Sequence, residues 1–204
     1  MAQNPRVTRH DSHSTTDQAH GWSTKRISIT ALFCALSAIA TLFMEFPILP
    51  GVSWLKYDPS GIVALVAGFS FGPTTGVVVS TMPYLVHLAT PSGAYGVLMA
   101  MLATLSLVVP ASLVYRRDTT RRGAVIGMVV GGVICVAICI AGNLVITPLF
   151  SPKMTLDDVI GLILPALLPF NVIKIVLNCV LTGLTHTGAH GIDCVLASTP
   201  AMFM

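Results

Sequence analysis

Eighteen consecutive residues, Ile27 to Met44, carry no charged side chain. At 1.5 Å per residue a helix of that length covers ~27 Å, close to the hydrocarbon thickness of a bilayer. Apolar runs of this kind recur through the chain, and no other sequence feature restricts the fold as much. Inside hydrocarbon every backbone N–H and C=O needs an internal partner, so spanning segments are helices or closed barrels, and runs of this length fit helices. Composition agrees: 9% of the 204 residues are charged, against roughly 25% in a soluble domain, and mean hydropathy is +0.83. The expected fold class is an all-α integral membrane protein.

Six crossings are predicted. Helix 1 covers Ile27–Met44. The stretch Glu45–Tyr57 (EFPILPGVSWLKY) holds two prolines and a glycine, so it ends the helix, yet it stays apolar and aromatic. It reads as a structured loop between helices 1 and 2. Asp58, Pro59 and Ser60 form a helix start, with Asp58 as N-cap and Pro59 at the first helical position. Helix 2 then runs to about Phe71, where FGP breaks the pattern. Helix 3 follows over Thr74–Ala89, helix 4 over Tyr95–Val114 and helix 5 over Gly123–Ile146. A loop, TPLFSPKMTLDD, leads to helix 6, whose interior spans Pro165 to His186. This divides the chain into a tail (1–24), a transmembrane domain (25–190) and a short C-terminal tail (191–204).

Charge sets the expected orientation. Lys25 and Arg26, with Arg116, Arg117, Arg121 and Arg122, fall on the face that carries both termini. Glu45, Lys56, Asp58, Lys153, Asp157 and Asp158 fall on the other. By the positive-inside rule the termini are cytoplasmic, in the plasma membrane of a prokaryotic cell. The formal net charge of +3 sits in short clusters without interleaved aromatics, which argues against nucleic-acid binding. The five cysteines lie mostly inside apolar runs without a CxxC pair, so they read as core residues rather than disulfide or metal ligands. The tail's His10, His13 and His20 have no metal-ligand spacing, and no cofactor is expected.

A charged side chain inside a membrane segment costs at least ~2.5 kcal/mol on insertion scales, so Lys174 needs a reason. It lies in PFNVIKIVLN, where Asn171, Lys174 and Asn178 share one helix face. Asn143, near the end of helix 5, supplies another amide at similar depth. These side chains offer donors and acceptors beside a fixed cation and suit a neutral, planar, heteroatom-rich ligand. Read alone, Asn143 or Asn178 is interhelical glue. Phe46, Trp54 and Tyr57 in the first loop, with Tyr95 at the start of helix 4, are either an interfacial belt or a lid stacking on a flat ring. Ala31 and Ala35, with Ala38 nearby, give helix 1 a small-xxx-small face open to internal packing or to a partner helix. No nucleophile–base pair or carboxylate pair lies within the crossings, and the chain is expected not to be an enzyme.

The strings FPILPGVSWLKYDPSGIVALVAGFSFGPTTGVVV, LATLSLVVPASLVYRR, NLVITPLF and LPALLPFNVIKIVLN resemble the riboflavin-specific substrate-binding subunit, or S component, of energy-coupling-factor vitamin importers. The resemblance covers everything from helix 1 to helix 6. It implies a six-helix vitamin-binding subunit with a pocket near the outer leaflet, working with a transmembrane coupling subunit and two cytoplasmic ATPases. It assigns Asn143, Asn171 and Lys174 to the flavin ring and tips Ala31, Ala35 and Ala38 towards a partner surface. GxxxxGK[ST] is absent from the sequence, so ATP hydrolysis is expected of other chains.

The chain departs from the family pattern at three places. Gly96 to Ala100 (GVLMA) stands where G-E-x-x-N is usual, Met82 and Pro83 stand where a Lys-Asn pair is common, and Gly61 replaces an acidic residue after YDPS. These changes keep an S component for another vitamin or flavin analogue in competition. From other classes, the alternatives are an intramembrane enzyme using His87 and Asp58, and a scaffold without a ligand. The first needs two titratable groups in one water-filled cavity, and the second gives Lys174 no purpose.

Overall fold

The computed structural model describes residues 22–48, 55–88, 93–150 and 155–198, with backbone alone for Val86, His87, Gly93, Tyr95, Phe150 and residues 186–198. Trp54 and the tail to residue 21 lie outside the described residues, as does the side chain of Tyr95. The elements are α1 (Thr24–Phe43), β1 (Phe46–Pro47), β2 (Lys56–Tyr57), α2 (Ser60–Phe71), α3 (Pro73–His87), α4 (Gly93–Arg117), α5 (Arg121–Phe150), α6 (Leu156–Leu162), a π-helical turn (Ile163–Leu167) and α7 (Leu168–Ser198). Among the described residues the protein is all-α apart from the two-residue antiparallel pair, in which Phe46 faces Tyr57. Four helical stretches are long and apolar enough to cross a membrane: Thr24–Phe43, Gly96–Arg117, Arg121–Leu149 and Leu156–Thr185.

Several boundaries differ from those expected. Pro59 precedes α2 instead of opening it, so the helix begins at Ser60, although Asp58 still accepts the Ser60 N–H at 2.8 Å. The FGP break is a Gly72 with φ +90°, a conformation open mainly to glycine. α5 runs on through Pro148 to Phe150, where a loop was expected from Thr147. The last helix starts earlier, at Leu156, under a capping box in which Thr155 and Asp158 exchange hydrogen bonds. It continues beyond His186 to Ser198.

Two prolines explain the π turn. Pro165 and Pro169 both lack an N–H, so two consecutive α-helical bonds along one face are impossible. The Leu168 N–H instead reaches back five residues to the Ile163 carbonyl. This shift rotates the following helix by part of a turn, and the first polar residue after it is Asn171.

Burial is inverted relative to a soluble protein. Leu32, Ile39, Val129, Val133, Val145, Leu164 and Leu184 are all more than half exposed, while Thr30, Ser37, Thr41, Ser80, Thr104 and Thr182 are buried. Large apolar side chains outside and small hydroxyl residues between helices are the pattern expected where lipid is the solvent. Many of these hydroxyls bond back to their own helix, as Thr30 does to the Arg26 carbonyl (2.8 Å) and Ser80 to Gly76 (2.7 Å).

The closest packing joins α4 to α5. Gly123, Gly127 and Gly131 repeat every four residues along α5, and a Cβ on Gly131 would lie 2.5 Å from the Leu107 carbonyl oxygen, one on Gly127 2.7 Å from that of Ala111. Glycine is needed there because backbone, which cannot move aside like a side-chain tip, occupies the space. Replacing Gly131 with leucine should push α5 off α4 and cost at least ~1–3 kcal/mol. A lower midpoint in detergent thermal unfolding, larger than that for Gly183→Leu, where nothing lies within 4 Å of the added carbon, checks this.

Candidate ligand site

One end of the bundle gathers the polar residues. Ile48 and Leu55, which flank the undescribed tip of the first loop, pack with Leu144 of α5, Val159 of α6, Ala166 and Leu167 of the π turn and Phe170 of α7. The loop therefore lies against the segments that carry Asn143 and Asn171. Phe46 stands half exposed, its ring edge-on to Tyr57 at 5.5 Å, and Lys56 pairs with Glu45 at 3.5 Å across the base of the loop.

Asn143 and Asn171 are each 5% exposed and are held alike. Asn143 Nδ2 donates to the Cys139 carbonyl (2.8 Å), while its Oδ1 accepts from Thr147 (3.1 Å). Asn171 Nδ2 donates to the Leu167 carbonyl, the last of the π turn, at 2.7 Å. The second N–H of each amide has no partner among the described residues. Lys174, one turn along α7 from Asn171, is half buried. Among the described residues no carboxylate pairs with it; the ion pair found there is Lys56–Glu45. α5 and α7 pack on each other at Gly132 and Ile175, and the two amides and the cation they carry keep donors to spare.

Asn178 has a different role. It is 1% exposed, and its Oδ1 accepts from the Tyr57 hydroxyl at 2.9 Å. A Cβ at Gly61 would fall 2.6 Å from its Nδ2, so the residue standing in place of the family's acidic one leaves room for this amide. Burial, with the neighbouring Asp58 second, pushes the Tyr57 hydroxyl up to about 12. It therefore keeps its proton at neutral pH and serves Asn178 as donor. Tyr57 itself is buried and tied down, a post beneath the loop.

Sequence reading saw Asp58 as a cap and missed its larger setting. Its carboxylate is buried and accepts the Ser60 hydroxyl (2.7 Å), the Ser60 N–H and the Tyr84 hydroxyl (2.7 Å), with Thr41 Oγ1 more distant at 3.5 Å. Tyr84 also meets Thr104 at 3.0 Å. One carboxylate thus joins α1, α2, α3 and, through Tyr84, α4. A lone tyrosine after Pro83 in an apolar helix was the available signal. Arg26, read as an orientation signal, also clasps the far corner: Nη2 donates to the Phe71 carbonyl (2.8 Å) and to Thr74 and Thr75 (both 2.9 Å).

Ala31 and Ala35 are exposed on α1, and Ala38 is partly covered. The first two are not used in packing this chain's own helices. The side chain of His87 lies outside the described residues.

A bundle with four helices of membrane length and buried amides on two of them has the make-up of a membrane-embedded subunit. The chain belongs to the substrate-specific components of ECF transporters: residues 25–184 match that family's model. It is a transport subunit and not an enzyme. The riboflavin transporter RibU of Staphylococcus aureus (strain TCH60) is 28% identical over 74% of this chain and 82% of its own. RibU of Lactococcus lactis subsp. cremoris (strain NZ9000) is 34% identical over a shorter stretch, 39% of this chain and 41% of that one. The solved structure of the S component of a bacterial ECF transporter superposes with a TM-score of 0.71 at 25% identity, covering 82% of this chain and 96% of that one. Components of this family work with a transmembrane coupling subunit and ATPase subunits, and the membrane of a prokaryote is where they act.

Removing one donor from the Asp58 cluster tests its weight. Tyr84→Phe should lower stability by ~1–3 kcal/mol, because a buried carboxylate oxygen loses a partner, and Tyr57→Phe by a smaller ~0.5–1.5 kcal/mol. Paired thermal unfolding curves, with Tyr84→Phe the lower, are the expected result.

Proposed function

We propose that this chain captures riboflavin from outside the cell and presents it to the coupling and ATPase subunits of an ECF importer. The observation that carries the reading is that Asn143 of α5 and Asn171 of α7 are buried and pinned by one amide N–H each, with Lys174 one turn from Asn171, in a chain whose relatives are riboflavin transporters. An isoalloxazine ring is flat, uncharged and edged with carbonyl and ring-nitrogen acceptors, with one imide N–H. The free amide N–H groups and the Lys174 ammonium match those acceptors, and an amide oxygen matches the imide. Phe46 and Tyr57 belong to the aromatic cover, with Tyr57 as its fixed post and Asn178 holding that post; Trp54 and Tyr95 are assigned to it from the sequence alone.

In this reading α2 and α3, 12 and 15 residues long, join the four longer spans to give six crossings with both termini in the cytoplasm. Exposed Arg116, Arg117, Arg121 and Arg122 between α4 and α5 support that orientation in the plasma membrane. Residues 25–190 make the binding domain. Ala31, Ala35 and Ala38 form the approach surface for a helix of the coupling subunit; the exposure of the first two supports a partner over internal packing.

One observation favours a second ligand. Val97 is buried and apolar, and Met82 is half exposed, at positions where the family pattern that the sequence resembles has polar groups. A flavin with fewer hydroxyls than riboflavin then binds as well as or better than riboflavin itself. Competition between riboflavin and lumiflavin separates the two readings.

Riboflavin fluorescence should be quenched on titration with the purified chain, and absence of quenching removes the proposal. Lys174→Met keeps the side-chain length but removes its charge and donors. It should weaken binding roughly 10- to 150-fold, the equivalent of ~1.5–3 kcal/mol. Ala35→Trp should leave quenching and thermal stability intact while cellular uptake falls, because the bulky ring holds the partner helix away. Uptake at the parent's rate would take α1 out of the docking surface.

A further inference from the structure

One concave surface lies apart from the ligand site. Leu102, Leu105, Val109 and Leu113 of α4, with Ile134 and Ile138 of α5, line an open groove of about 360 Å³. Its polar contributor is Ser106, whose hydroxyl is already committed to the Ala103 carbonyl at 3.0 Å. A protein segment seated here finds no free side-chain donor or acceptor in the wall; an alkyl chain needs none.

The four α4 residues follow one another at spacings of three and four, so they form a single stripe. Continuing the stripe from Leu113 by three and four residues reaches Arg116 and Arg117, both exposed in the last turn of α4. Arg121 and Arg122 follow at the start of α5, and Asp118, the one acid between them, accepts the Thr120 N–H of the turn. From Leu102 to Leu113 the stripe is ~16 Å long, about half of a ~30 Å hydrocarbon core and so the depth of one leaflet.

We propose that this groove binds one anionic phospholipid, with its phosphate against Arg116 and Arg117 and one acyl chain along α4. Length, apolar lining and charge at one end fit that occupant together. The proposal does not rest on the riboflavin reading, since the groove's lining includes none of Asn143, Asn171 and Lys174.

The test uses the full-length chain in a neutral detergent, titrated with dioleoyl phosphatidylglycerol or with dioleoyl phosphatidylcholine, and reads thermal midpoint against lipid concentration. The chains are identical, so a difference reports the headgroup. The phosphatidylglycerol curve should reach half-saturation at a roughly 10- to 30-fold lower concentration. In Arg116→Gln/Arg117→Gln the two curves should come within about 2-fold of each other, and raised salt should have the same effect on the parent. Val109→Phe, which fills the groove from a half-buried position, should weaken the response to both lipids while helix content by circular dichroism stays at the parent's value. Equal response of the parent to both lipids, or a preference that survives the double substitution, overturns the proposal. So does a Val109→Phe variant that keeps its lipid response but loses assembly with the coupling subunit, for then the groove belongs to that partner.

Discussion

In lipid, apolar side chains gain nothing by leaving the solvent for each other, so a helical bundle must be held by close backbone approach and by polar groups that satisfy one another. Both devices are visible here, and they act on different parts of the molecule. The glycine ladder of α5 brings that helix against α4 by backbone approach, with the Cys135 thiol donating to the Ala103 carbonyl at 3.3 Å. The Asp58 carboxylate works the other way: it brings polar atoms from α1, α2 and α3 to one point that excludes lipid. An unpaired carboxylate at that depth is untenable, and the hydroxyls around it would be nearly as costly alone. Each group is therefore a condition for burying the others.

The same economy explains the last helix. Prolines four residues apart would break a helix in water, where the released carbonyls simply hydrate. Here the chain stays helical by widening one turn, and Asn171 turns its amide onto the last carbonyl of that turn. The irregularity and the polar residue belong together. A ligand carbonyl arriving at the free N–H of Asn171 meets an amide whose orientation is already fixed, so little ordering remains to be done on binding.

The sequence makes the apolar spans, the FGP break, the polar face of Asn171, Lys174 and Asn178 and the small-residue face of α1 legible, because each depends on residues close together in the chain. Helix ends were less legible. Pro148 reads as a loop residue and Pro165 as the start of the last helix's interior, whereas both lie within helical chain, which helices bounded by lipid tolerate. The Asp58–Tyr84 cluster could not be read, since 26 residues separate the two and nothing local marks their meeting. Arg26 is a similar case: its charge announced orientation, while its grip on the α2–α3 corner depends on how α1 folds back. Asn178 was placed correctly on the polar face, but its bond to Tyr57 spans 121 residues and gives it to the loop.

Tyr57 and Asp58 are adjacent in the chain and act on opposite sides of it. The tyrosine reaches α7 through Asn178, and the aspartate reaches α1, α2 and α3 through hydroxyls. α1 is thereby fastened near one end at Thr41 and at the other by Arg26, both times to the α2–α3 unit. The exposed alanines lie on the stretch between those two fastenings. Under the proposed function, a ligand at Asn143, Asn171 and Lys174 bears on the loop from beneath, and Asp58 at the end of the loop meets α1 at Thr41, 3.5 Å away. The base of the loop is then the place where occupancy at one end of the bundle can be felt by the helix that a coupling subunit approaches, and that link rests on two consecutive residues.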